Sequence, residues 1–115
     1  MKASTAMAVT NKPRITWRKE ANEQGLARIG QGPRGYELRI NGNRVADISP
    51  VRNGFKLEYI GWMWSCASND ELGIAWKNTS AEKRKPYPMT DDGVEQAKAD
   101  CKAYIVACLK AKGVM

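Results

Sequence analysis

The chain contains no histidine. This removes the side chain most often used as a general base, as the middle of a hydrolytic triad and as a zinc ligand. Its three cysteines, Cys66, Cys101 and Cys108, include no CxxC pair, so a zinc site is not expected. Cys101 and Cys108 lie seven residues apart in one helical pattern, about 10.5 Å along the axis at 1.5 Å per residue, too far to bridge. Cys66 could meet one of them, a pairing that spacing leaves open; all three read as reduced, mostly buried thiols in a cytoplasmic setting. No apolar run approaches the roughly 20 residues of a membrane span. The segment MKASTAMAVTNK has only scattered apolar residues, so positions 1–12 read as a flexible tail and not as a secretory signal. GxSxG, P-loop and HExxH patterns are absent. Gly30–Gly35 spells GxGxxG, but it contains Pro33 and leads into a strand, not a helix, which argues against dinucleotide binding. Asp91 and Asp92 are better explained by a helix start than by a metal site. These absences point away from catalysis and cofactors, towards a protein that works by binding.

What is present fits a single folded domain. The 115 residues are 43% hydrophobic and 27% charged. Thr90 to Val114 has the pattern of a capped amphipathic helix. Val94, Ala97, Cys101, Tyr104, Ile105, Cys108 and Leu109 recur at helical spacing. Thr90 or an aspartate can cap the N-terminus, and Asp92 with Glu95 has the spacing of a capping box. Lys110, Lys112 and Gly113 suit the C-terminus.

The residues before this helix carry strand signals: Arg14–Arg18, Leu26–Ile29, Tyr36–Ile40, Arg44–Ile48, Phe55–Cys66 and Leu72–Trp76. Asn41-Gly42 predicts a tight hairpin that sets Leu38 opposite Val45, and Pro50 is expected to end the returning strand. Asn53-Gly54 and Asn69-Asp70 mark further turns. In Phe55–Cys66 the alternation breaks at Gly61. A bulge there keeps Trp62, Trp64 and Cys66 on the face of Phe55, Leu57 and Tyr59; without one, both tryptophans face the other way. The expected fold is α+β: an antiparallel meander of four to six strands over residues 14–77, a basic loop over 78–89, and one C-terminal helix over 90–112 packed on one face.

The net charge of +7 is unevenly distributed. Residues 90–115 hold four acids and four bases, whereas residues 1–89 hold 15 Lys and Arg against eight acids. A positive sheet and its loops would attract nucleic acid or an acidic protein surface. Arg39, Arg44 and Lys56 on the sheet, with Lys83, Arg84 and Lys85 in the loop, are the candidate phosphate contacts. Trp62 and Trp64, if exposed, would stack on bases, and Tyr87 with them would form hot spots for a protein partner.

A tryptophan near the start of the strands, a Gly-rich hairpin and a Thr-initiated helix containing Gln96-Ala97-Lys98 resemble small phage- and prophage-encoded proteins, over Ile15 to Leu109. That resemblance implies an accessory protein in the host cytoplasm. It also implies a possible host-protein target, such as a defence effector of CRISPR type. A small sheet backed by one helix also looks like the three-stranded DNA-binding domains of integrases and homing endonucleases, in which Arg39, Arg44 and Lys56 would take the matching sheet positions. A homo-oligomeric structural protein, paired through an edge strand, is a third expectation.

Overall fold

The computed structural model describes residues 13–19, 34–52, 58–82 and 85–115. The tail at 1–12, the strand signal at 26–29, the glycine pattern as far as Pro33, the turn at 53–54, residues Phe55 to Leu57, and Lys83 and Arg84 lie outside them. Among the described residues, five strands, β1 (Ile15–Lys19), β2 (Tyr36–Ile40), β3 (Asn43–Arg52), β4 (Tyr59–Cys66) and β5 (Lys77–Asn78), form one antiparallel sheet in chain order. Among the same described residues one helix, α1 (Asp91–Lys112), follows and packs across β3 and β4. The fold is α+β.

The β2–β3 hairpin turns at Asn41-Gly42, both at positive φ (52° and 86°), as a primed two-residue turn requires. Its register departs from the simple expectation: Arg39 pairs with Arg44, but Leu38 pairs with Ala46, leaving Val45 as a bulge. The reason is parity. Without the extra residue, Val45 would face the helix but Ile48 would not, and Asp47 would point into the core. With it, Val45, Ala46 and Ile48 are all buried, and Asp47 turns to the opposite face.

A second bulge falls where β4 changes phase. Val51 pairs with Gly61 and Arg52 with Tyr59, so Ile60 is the extra residue and is left exposed. Trp62, Trp64 and Cys66 therefore face α1, each no more than 5% exposed. The Trp62 ring lies 6.2 Å from Tyr36, and Trp64 lies 5.6 Å from Tyr104 on the helix. With Leu38, Ile48, Ala97, Cys101, Ile105 and Leu109 they form the core.

Pro50 does not end β3; it lies within it, opposite Trp62. The Trp62 N–H and C=O both bond Tyr87, on the side away from β3 (2.9 and 3.0 Å). Pro50 thus occupies a position with no β3–β4 hydrogen bond to lose. On its other side β2 has already ended, with Tyr36 opposite Ile48.

The outer edge of β4 is closed in three stages. Lys77 and Asn78 pair with Cys66 and Ser65. Thr79, fully buried, then donates its N–H to the Trp64 carbonyl (3.1 Å). Its hydroxyl also accepts from the Trp64 N–H (3.1 Å) and donates to the Trp64 carbonyl (2.8 Å). Finally Tyr87 pairs with Trp62. The predicted loop at 78–89 is therefore pinned to the sheet near both ends. Gly61 permits the last contact, because a Cβ there would lie 2.3 Å from the Tyr87 carbonyl oxygen and 2.6 Å from Pro86 Cβ. The segment over 72–76 is not a strand. Asn69 and Ile74 bridge across a turn in which Gly73 has φ +73°, and β5 begins only at Lys77.

Helix α1 is capped by Thr90, whose hydroxyl accepts from the Gly93 N–H (2.9 Å), and not through the Asp92–Glu95 spacing. Asp91 and Asp92 lie in its first turn, Lys110 and Lys112 in its last, and Gly113 closes it at φ +84°.

Two substitutions test the closure of the β4 edge. Thr79→Val keeps the shape but leaves the Trp64 N–H and C=O without the hydroxyl, and is expected to cost about 1–3 kcal/mol in urea unfolding. Gly61→Ala forces the Tyr87 strand away from β4, with a comparable loss of about 1–3 kcal/mol and faster proteolysis within 79–88.

Candidate functional site

Among the described residues, no second layer packs on the sheet face turned away from α1, and that face is largely polar. A cross-strand row of paired positions runs over it: Arg18, Glu37, Asp47, Ser65 and Asn78. At about 4.8 Å per strand this row spans about 19 Å. Thr16, Arg39 and Arg44 form the adjacent row towards the hairpin.

Two of the predicted phosphate contacts, Arg39 and Arg44, are thus neighbours on this face, and both are ion-paired. The Arg39 Nη2 and Nε donate to one Glu37 oxygen at 2.7 and 3.0 Å, and its Nη1 donates to the Gly42 carbonyl at 2.8 Å. Arg44 lies 3.7 Å from the other Glu37 oxygen and 3.4 Å from Asp47. The carboxylates offset the repulsion of two arginines directly opposite each other. Hydrogen bonding by Arg39, above all, holds the Glu37 carboxyl below its ordinary pKa, with help from the fields of Arg39, Arg44 and Arg18. Burial pushes Asp47 the other way, and Arg44 counters this only in part. The Arg44 side chain is still 56% exposed, and Arg18 makes no ion pair among the described residues.

Beyond this network the same face dips into an open groove of about 300 Å³. Met63 floors it, and Ser49, Ser65, Asn78 and Ser80 supply hydroxyl and amide groups around it.

The aromatic candidates fall elsewhere. Trp62 and Trp64 are core residues, because the bulge at Ile60 turns both towards the helix; neither can stack on a base. Tyr87 is half-buried against the core, and its hydroxyl donates to Asp100 on α1, so it ties the 86–88 segment to the helix. Trp17 is half-buried, with Lys98 Nζ 5.5 Å from its ring and 3.9 Å from that of Tyr36. Trp76, at the end of the strand signal over Leu72–Trp76, is 60% exposed. Alternation with Leu72 and Ile74 concealed it, and only the turn at Asn69–Ile74 breaks that alternation. Lys85 is exposed; Lys56, Lys83 and Arg84 lie outside the described residues.

Among the described residues no group of Cys, Asp and Glu has the arrangement of a metal site. The three cysteines are unpaired. Burial pushes the Cys101 thiol up to about 12 and raises Cys66, whose Sγ donates to the Ala75 carbonyl. No described helix is long and apolar enough to cross a membrane. No protein family, no curated protein and no solved structure matches this chain.

The ion-pair network and the thiols can each be tested. Glu37→Gln is expected to lower the thermal midpoint at neutral pH. A carboxyl with a lowered folded pKa stabilises above its ordinary value of 4.5, and that contribution fades as the pH falls through the folded value. Wild type and variant should therefore converge in acid. Alkylation of the native protein at pH 8, read by mass spectrometry, should modify half-buried Cys108 first and fully buried Cys101 last.

Proposed function

We propose that this protein is a non-enzymatic binding module that contacts the phosphate backbone of nucleic acid through the sheet face turned away from α1. The observation that supports this reading is the polar cross-strand surface, where Arg18 and Arg44 stand exposed on the same face as a groove rimmed by serine and asparagine groups. Guanidinium, hydroxyl and amide groups are the usual donors to phosphate oxygens. Arg39 is held by Glu37 and serves chiefly to fix that carboxylate. Arg18 together with the paired Arg39, Arg44, Glu37 and Asp47 leaves a modest local excess of positive charge, so Lys85 and the other loop cations would add to the attraction. Binding of this kind is sensitive to salt and weakly selective for sequence.

The test is a salt series. Fluorescence anisotropy with labelled single- and double-stranded oligonucleotides should show log affinity falling linearly with log salt. Arg18→Glu and Arg44→Glu should each weaken binding and make the slope shallower, by about 0.7 to 0.9 for every phosphate that is no longer neutralised. No binding by the wild type at about 50 mM salt overturns the reading, since phosphate contacts are strong there. The phage accessory protein with a host-protein target then becomes the alternative to pursue, by nuclease-treated co-purification.

A further inference from the structure

We infer that Trp76 is a stacking platform for an unpaired base, so that the nucleic acid bound is single-stranded; this rests on the reading just given. Of the four tryptophans, Trp62 and Trp64 are buried and Trp17 is half-buried beneath Lys98, whereas Trp76 leaves 60% of its surface to solvent. An indole left in water forgoes the burial that normally stabilises it.

Its backbone is firmly held on both sides. The preceding Ala75 carbonyl accepts from the Cys66 thiol (3.4 Å) and from the Tyr104 hydroxyl (3.0 Å). One residue earlier, Ile74 is 3% exposed and bridges to Asn69. The following residue, Lys77, pairs in β5. The ring is therefore displayed from a rigid base, which lowers the entropy lost when a ligand stacks on it.

Trp76 lines an open groove of about 500 Å³ together with Ser68, Asp70, Gly73, Ile74 and Lys112. Gly73 brings the helix end close, since a Cβ there would lie 2.5 Å from Lys112 Cβ. The groove thus joins a flat π surface, a hydroxyl and a lysine. A nucleotide carries the matching groups in one unit: a planar base for the indole and a phosphate for the ammonium. Asp70 repels phosphate from its own rim and so favours the Lys112 side. In a duplex the base faces are occupied by their neighbours, so this contact requires an unpaired strand.

The experiment uses anisotropy at about 50 mM salt with a labelled oligothymidine strand and with a duplex of mixed sequence. Wild type, Trp76→Ala and Trp76→Phe are compared, each checked for an unchanged melting temperature. Trp76→Ala should lose roughly 5- to 150-fold in single-strand affinity, the range expected of one base–aromatic stack. Its duplex affinity should stay within about twofold, and Trp76→Phe should recover most of the loss. Oligothymidine should also quench wild-type tryptophan fluorescence more than that of Trp76→Phe. Single-strand binding by Trp76→Ala equal to wild type overturns this inference and leaves the phosphate-binding reading standing. Wild type that binds neither probe overturns both.

Discussion

Side-chain parity governs this fold. A strand sends alternate residues to opposite faces, yet β3 and β4 must place Ile48, Trp62 and Trp64 against one helix. Neither strand alternates cleanly enough to do so. Each inserts one residue, Val45 in β3 and Ile60 in β4, and the insertions restore the apolar face. The first turns Asp47 outward, and the second turns Trp62 and Trp64 inward. The composition of both sheet faces depends on these two positions. The core gains its largest rings, and the opposite face is left with charges, hydroxyls and amides around Met63.

Closure of the β4 edge has a second consequence. A two-residue strand is too short to protect an eight-residue neighbour. Thr79 and Tyr87 complete the pairing, one with a side-chain hydroxyl and the other with its backbone. An edge left unpaired at this length would invite association with another chain. The segment that closes it also docks at the helix N-terminus, where a Cβ on Gly93 would lie 1.8 Å from the Pro88 carbonyl oxygen. Sheet edge, strap and helix start are thereby one packed unit. The segment carrying Lys85 leaves this unit as a short span anchored near both ends.

The two surfaces offered to a partner differ in chemistry. On the sheet face, Glu37 clamps Arg39 and shares Arg44 with Asp47, so positive charge is positioned but partly neutralised. At the far end of the sheet, Trp76 supplies a bare aromatic surface beside Lys112. One surface suits a charged backbone and the other a flat ring. A strand of nucleotides carries both, so the two roles reinforce each other while remaining separable by mutation.

Local signals in the sequence determined the elements whose causes are themselves local. Asn41-Gly42 has the backbone freedom of the hairpin, Thr90 the hydroxyl of the helix cap, Gly113 the left-handed stop, and the 3.6-residue stripe the buried face of α1. The break in alternation at Gly61 marked the place of a phase change in β4, but not its outcome. Tertiary structure decided everything that turns on what lies across from a residue. Whether Trp62 and Trp64 were core or surface depended on Ile60 being extruded opposite Val51 and Arg52. Pro50 could stay in β3 because the hydrogen bonds of Trp62 point to Tyr87. The freedom of Arg44 depended on carboxylates from the neighbouring strand and from β3 itself. Trp76 continued an apolar alternation in the chain, and only the turn at Asn69–Ile74 took it out of the core. Periodicity states which residues share a side; register and packing decide which side faces water.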